Sequence, residues 1–169
     1  DGTTSWVTPR KTVTTISNVQ VPSTRPPPFP VAEGVECRPL NALEVPAHAS
    51  YVVCGAGKSG VDAVCHLLDS GVSTDAITWI VPHNRWMFLR DGIWPSRTGG
   101  YYEAMAKFFP SLLEASDSMD VALRLEKGPG ICARIFPGGE PPRVFKGATI
   151  NKSQLAQIRS VAAVRLGRV

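Results

Sequence analysis

Residues 51–60 read Tyr-Val-Val-Cys-Gly-Ala-Gly-Lys-Ser-Gly, a short apolar run followed at once by a glycine-rich loop. An apolar run bounded by turn residues is typical of a buried strand in a parallel sheet. Beyond the loop, apolar residues recur at the i, i+3, i+4 and i+7 spacing of one helix face, at Val61, Val64, Cys65 and Leu68. Gly71 is placed to end that helix, and residues 76–81 predict a second strand that Pro82 stops.

The glycine loop has the spacing Gly-x-Gly-x-x-Gly in the strand–loop–helix–strand context that dinucleotide binding requires. Gly55 would permit the tight turn, Gly57 would let a pyrophosphate approach the backbone, and Gly60 would let the helix pack closely on the strand. The helix N-terminus would attract the phosphates. We therefore predict cofactor contacts along the whole loop, at Gly55, Ala56, Gly57, Lys58, Ser59 and Gly60. The alternatives are a glycine-rich turn without a ligand and, for Lys58, an exposed surface lysine.

The end of the second strand indicates which nucleotide is preferred. NAD and FAD sites usually place Asp or Glu about 20 residues beyond the glycines, where it binds the ribose hydroxyls. Residues 80–85 read Ile-Val-Pro-His-Asn-Arg and contain no acid. A basic side chain here suits the 2′-phosphate of NADP, so Arg85 is the first candidate and His83 the second. The alternative for Arg85 is a solvated loop charge.

Two other nucleotide-binding patterns fail on spacing. Residues 57–59 resemble the end of a Walker A loop, but that motif needs a glycine at the position of Val52. A short-chain dehydrogenase would need a Tyr-x-x-x-Lys pair, whereas Tyr102 and Lys107 are five positions apart.

The composition argues against several other classes of protein. The net charge of +4 could favour an anionic ligand, but no Lys/Arg run, RNA-binding aromatic signature or zinc-finger spacing indicates nucleic acid. The four cysteines form no C-x-x-C pair, so they predict no metal site, and Cys54 and Cys65 are expected to be small buried hydrophobes. With no signal peptide and no apolar run of membrane-spanning length, we expect a cytoplasmic protein with no membrane partner.

Beyond the nucleotide unit, residues 1–44 are expected to be an irregular, proline-rich connecting segment and residues 45–169 a partial NAD(P)-binding domain. Periodicity does not decide between strand and helix for residues 120–126. Both ends, without an initial methionine and with a strand last, suggest an excerpt of a longer protein. A short strand is expected at 11–16, and residues 31–50 are expected to be a loop with a brief extended piece near 35–38. Further loops are expected over 83–100 and 127–143. The remaining expectations are a helix over 102–114 with a break or bend at Pro110, a helix from an Asn151–Gln154 capping box to Arg159, and a strand over 161–169.

Several of these segments resemble the middle of FAD/NAD(P)-binding oxidoreductases related to flavin-containing monooxygenases. The similarity rests on residues 51–62 and 78–86 and extends to residues 21–27, 147–150 and 164–169. The Gly-x-Gly-x-Ser-Gly form is fairly specific for the second, nicotinamide-nucleotide loop of this family. The resemblance therefore implies that the phosphates of NADPH are held by Gly55, Gly57, Ser59 and Gly60.

The resemblance also implies a fold: a Rossmann-like parallel sheet with flanking helices, as an incomplete part of a flavoprotein with two dinucleotide-binding domains. The family's first glycine loop, which binds FAD, is missing from this sequence. The chain would then be the inserted nucleotide domain, its partner would be the missing flavin domain, and FAD would bind only the full-length parent. In the family, NADPH passes a hydride to the flavin, which then activates oxygen.

Without the flavin loop no catalytic residue is named, and His66 and His83 are given no acid/base role because they have no evident carboxylate partner. Three hypotheses follow. The first is the NADP(H)-binding portion of an FAD-dependent oxidoreductase. The second is a truncated, non-catalytic module that binds a nucleotide or nothing. The third is a structural fragment in which Trp86, Phe88 and Trp94 pack against a missing domain.

Overall fold

The computed structural model describes residues 2–13, 24–46, 50–93 and 100–167, and the chain divides into two compact units, Asp1–Ala42 and Leu43–Val169. The described part of the first unit is irregular except for a 3-10 turn at Leu40–Ala42. Residues 35–38 form neither a helix nor a paired strand, which is consistent with the loop expected there. Residues 11–13 are also irregular, and the rest of the strand predicted at 11–16 lies outside the described residues.

The second unit contains a parallel, three-stranded sheet in the order β1-β2-β6. Its strands are β1 (Tyr51–Cys54), β2 (Ile77–Val81) and β6 (Ala163–Leu166). The predicted strands are confirmed, although β6 is shorter than expected. Its last pairing joins Leu166 to Val81, where Pro82 ends β2 because proline has no N–H to continue the ladder.

A second three-stranded sheet, in the order β4-β3-β5, was not expected from the sequence. Residues 83–100 are not simply a loop, because β3 (Trp86–Leu89) and the short helix α2 (Arg90–Ile93) lie within them. β3 pairs antiparallel with β4 (Cys132–Arg134) and parallel with β5 (Phe145–Ile150). β3 forms because both of its faces are covered by buried side chains of this chain.

The helix ends follow local sequence signals. The four longer helices are α1 (Lys58–Asp69), α3 (Gly100–Leu113), α4 (Ser118–Lys127) and α5 (Lys152–Arg159). Gly71 ends α1 as predicted: it has φ of +84° and donates its N–H to the Leu68 carbonyl at 3.0 Å. α5 begins at the predicted capping box, in which Gln154 Oε1 accepts the N–H of Asn151 at 3.2 Å.

Two helical predictions need revision. α3 continues through Pro110 to Leu113 without a break. The undecided segment at residues 120–126 belongs to α4, because the Asp117 carboxylate accepts the N–H groups of Met119 and Asp120 and so caps a helix.

Two clusters of buried side chains hold the second unit together. The larger joins α1, β2, β3 and α5, and on α1 it buries Leu67 more completely than Leu68. The smaller lies between β3, α3 and α4 and contains Trp86, which is 2% exposed. Trp86 therefore packs within this chain and is not left for a missing domain, while Trp94 lies outside the described residues.

The cysteines divide between surface and interior. Cys65 and Cys132 are buried, as expected for Cys65. Cys54 is exposed, so its predicted burial is wrong: it lies on the uncovered face of the edge strand β1. Among the described residues no helix combines the length and the apolar character that a membrane crossing needs.

Candidate functional site at the glycine loop

The chain passes from β1 to α1 through a turn at Gly55. Its φ of +102° is one that residues with side chains rarely adopt, so the backbone itself requires glycine here. The N–H of Gly55 donates to the Ile80 carbonyl at 2.8 Å, and the Gly55 carbonyl accepts the indole Nε1–H of Trp79 at 2.9 Å. Strand β2 therefore fixes the turn through both polar groups of one residue.

Gly60 lies against the same turn. A Cβ built on Gly60 would stand 2.1 Å from the carbonyl oxygen of Gly55 and 2.9 Å from its carbonyl carbon. These are backbone atoms that cannot move aside without disturbing the turn. The close packing expected at Gly60 is thus present, and it is possible only because glycine has no side chain.

Gly57 differs from both of its neighbours in the motif. It is the N-cap of α1, with φ of −74° and ψ of −179°, an extended conformation open to any residue. A Cβ on Gly57 would meet no heavy atom within 4 Å. Neither backbone strain nor packing within the described chain therefore explains a glycine at this position. The space that a side chain of residue 57 would occupy is empty.

The first turn of α1 is left without a side-chain cap. The N–H groups of residues 58–60 donate to no acceptor in the described part of the chain, and the first helical bond runs from the Val61 N–H to the Gly57 carbonyl at 3.0 Å. Ala56 is buried beneath the loop and Ser59 is half-buried. Such an end offers several aligned donors and a partial positive charge to an anion.

Lys58 brings a full positive charge to the same turn. Its ammonium forms an ion pair with Asp62, one helical turn further along α1, and both side chains are about one-third exposed. Lys58 is therefore not the freely exposed lysine of the alternative interpretation. It would have to leave or share Asp62 in order to contact a phosphate.

Besides Lys58 and the start of α1, Arg85 is a further source of positive charge near the glycine loop. The residue is only 9% exposed, which argues against the fully solvated loop charge of the alternative interpretation. Its Nε atom is buried and has no hydrogen-bond partner among the described residues. Burial lowers the pKa of the guanidinium, but arginine keeps its charge at neutral pH. A bound anion could accept the unused hydrogen of this Nε atom and pair with the charge.

The loop that carries Arg85 is pinned by a residue that the sequence did not single out. The Asn84 side chain donates to the Phe136 carbonyl at 2.8 Å and accepts the Phe136 N–H at 3.2 Å. The Arg85 carbonyl accepts the N–H of Ile135 at 3.2 Å. The available signal was an Asn two residues after Pro82 in the turn that ends β2, but the hydrogen-bond partner of Asn84 lies 52 residues further along the chain. His83, the second candidate, is exposed on this loop.

Within the loop of residues 55–60, Gly55 is hydrogen-bonded to the end of β2, and Gly60 lies against Gly55. The loop with Asn84 and Arg85 leaves β2 at the same carboxyl edge of the sheet, because β1 and β2 are parallel neighbours. Arg85 itself is anchored to the second sheet. Loops at the carboxyl edge of a parallel sheet are the usual place for ligands in α/β proteins.

Comparison with known proteins gives relatives but no family. No family model matches the chain, and no solved structure matches it. It is similar to Uncharacterized protein Mb2023 of Mycobacterium bovis and Uncharacterized protein Rv2000 of Mycobacterium tuberculosis, each 35% identical over 153 residues. The match covers 88% of this chain but only 28% of each relative, so the chain spans less than a third of the length of the curated relatives it matches.

Proposed function

We propose that the second unit is the NADP(H)-binding portion of an FAD-dependent, monooxygenase-like oxidoreductase, with a Rossmann-like sheet. The observation that carries the proposal is the open, uncapped start of α1 at Gly57, held against the carboxyl ends of β1 and β2. A pyrophosphate would accept the N–H groups of residues 58–60, and the missing Cβ of Gly57 would leave room for it. When bound, the nicotinamide would supply a hydride.

The buried Arg85 supports a preference for NADP over NAD. Of the two nucleotides, only NADP carries a 2′-phosphate, and no acid stands in residues 80–85 to bind ribose hydroxyls instead. A charge-assisted Arg–phosphate pair in a partly desolvated site contributes on the order of 1.5–3 kcal/mol. That corresponds to about one to two decades in affinity.

The exposed face of the parallel sheet supports membership of a larger protein. Parallel sheets are normally covered on both faces. Here the face with Val52 and Cys54 is exposed in the described chain, and Val52 is 63% exposed although it lies in a strand. The relatives extend well beyond the matched region. In the proposed parent, a further domain that binds FAD would supply the missing cover.

Titration calorimetry with NADP and NAD on the purified chain tests the proposal. We expect NADP to bind at least about tenfold more tightly than NAD. Arg85→Met should remove that difference by weakening NADP alone, whereas Lys127→Gln, a charge removed from the exposed end of α4, should leave both affinities unchanged. Equal affinities in the unaltered chain would refute the NADP preference, and binding of neither nucleotide would refute the whole proposal.

The flavin belongs to the parent in this proposal. The sequence has no second glycine loop before residue 50, so the chain purified alone should carry no FAD and should not oxidise NADPH. A visible absorption spectrum of protein purified without added flavin measures this directly. Near-stoichiometric flavin would contradict the assignment of FAD to a missing domain.

A further inference from the structure

A cavity of about 370 Å³ in the second unit is lined by residues of strands β3 and β5, helices α3 and α4, and the segment before β5. Ten of the twelve described residues that line it are apolar; the polar two are Ser118 and Arg143. It is formed by different elements from the glycine loop, and the nucleotide proposal makes no use of it.

The walls of the cavity are held in place by interactions within the chain. The Trp86 indole donates its Nε1–H to the Pro142 carbonyl at 2.7 Å, so its one polar atom is satisfied and the ring is fixed. Phe88 and Phe145 meet edge to face, with ring centroids 4.9 Å apart and planes at 83°. Because these aromatic side chains support one another, the cavity exists before any ligand binds.

Apolar side chains at the mouth of the cavity are exposed to solvent. Leu112 and Phe145, which both line it, are 46% and 45% exposed. The volume corresponds to about twelve water molecules. Water beside such walls finds few hydrogen-bond partners, so an apolar group of similar size would displace it favourably. Small-molecule pockets begin at about this volume.

The charge at the mouth narrows the choice of ligand. Arg143 lines the cavity, is exposed, and makes no hydrogen bond or ion pair with any described residue. No carboxylate lines the cavity among the described residues. We propose that this cavity binds an amphiphilic anion, with an apolar body on the order of a dozen heavy atoms inside and a single carboxylate or sulfonate at Arg143.

Titration calorimetry of the 169-residue chain with decanoate, and with decanol as its neutral counterpart, tests this assignment. We expect decanoate to bind one site and more tightly than decanol. Arg143→Gln should weaken decanoate about two- to fivefold, the value of an exposed ion pair, and leave decanol unchanged. Leu112→Asp should weaken decanoate by about tenfold or more, because it places a like charge in the apolar wall.

The matched control is Leu113→Asp, which adds the same charge one position further on a side chain that is 83% exposed and does not line the cavity. It should bind decanoate as the unaltered chain does. Absence of decanoate binding would overturn the proposal. Equal weakening by Leu112→Asp and Leu113→Asp would also overturn it, because binding would then be to an unspecific apolar surface. An unchanged decanoate affinity in Arg143→Gln would refute the proposal that Arg143 binds the anionic group of the ligand.

Discussion

The indole Nε1–H of Trp79 donates to the carbonyl of Gly55 at 2.9 Å, and that same carbonyl oxygen is the atom that a side chain on Gly60 would strike at 2.1 Å. One backbone oxygen thus joins the central strand, the turn and the first turn of α1. The geometry of the glycine loop therefore involves Trp79 as well as the glycines.

Trp79→Phe should therefore destabilise the second unit. The substitution keeps most of the buried aromatic surface but leaves the Gly55 carbonyl without its donor, at a cost of about 1–3 kcal/mol in the free energy of unfolding. Urea denaturation measures the change. Trp6→Phe is the matched control, because Trp6 is 95% exposed, and it should have no effect. A Trp79→Phe protein as stable as the unaltered chain would show that the contact contributes nothing.

Gly60→Ala should lower stability through steric overlap. Since the new methyl group would meet backbone atoms, either the turn or α1 must shift, and we expect a loss of about 1–3 kcal/mol in the free energy of unfolding. The same denaturation experiment on Gly57→Ala provides the comparison, because a Cβ there meets nothing. Equal stabilities of the two variants would contradict the packing described for Gly60.

Thiol labelling should divide the cysteines into two classes. Burial raises the pKa of Cys65 to about 11 and that of Cys132 to about 12, so neither forms appreciable thiolate at pH 8 in the folded chain. Cys37 and Cys54 are exposed. Iodoacetamide followed by peptide mass spectrometry should modify Cys37 and Cys54 in the folded protein, and all four cysteines in urea. Fast labelling of Cys132 without denaturant would contradict its burial.

Asp120 should make stability depend on acid pH. The Ser116 N–H, donated at 3.0 Å, and then Arg124 lower the pKa of this carboxyl in the folded state. The pKa of an aspartate in the unfolded chain is about 3.9. Because the folded pKa of Asp120 is lower, the ionised carboxylate adds to the free energy of unfolding above the unfolded pKa, and this contribution is lost as the pH falls through the folded pKa. Asp120→Asn should thus reduce stability at pH 7, by an amount that shrinks below pH 4. A difference that stays constant between pH 7 and pH 3 would contradict this.

The unit from β1 to β2 could be predicted because every signal in it is local. The apolar run, the glycine spacing, the helical periodicity and Gly71 all lie within about 30 residues, which is the length of one β-α-β unit. Each of these signals pointed to the same structure. The same holds for the capping box at Asn151, where both partners are three residues apart.

The second sheet could not be predicted, because its pairings are distant in sequence. β3 has four residues and β4 has three, and β3 forms its ladders only with strands that begin more than 40 residues further along the chain, β4 on one side and β5 on the other. The same pairing holds the backbone of Arg85, because the Ile135 N–H donates to the Arg85 carbonyl. Sequence reasoning could name Arg85 from its position after a strand, but it could not separate a solvated charge from a buried one.

The central claim is that Gly57 is glycine to admit a ligand and not to satisfy the fold. Gly57→Ala should leave the free energy of unfolding within about 1 kcal/mol of the unaltered chain, because its backbone is extended and the space around its Cβ is empty. Gly138→Ala, at another glycine with open space and outside the loop, is the matched control. By calorimetry, Gly57→Ala should bind NADP at least about tenfold more weakly than the unaltered chain, with Gly138→Ala unchanged. A stable Gly57→Ala protein that binds NADP as tightly as the unaltered chain would contradict the nucleotide assignment.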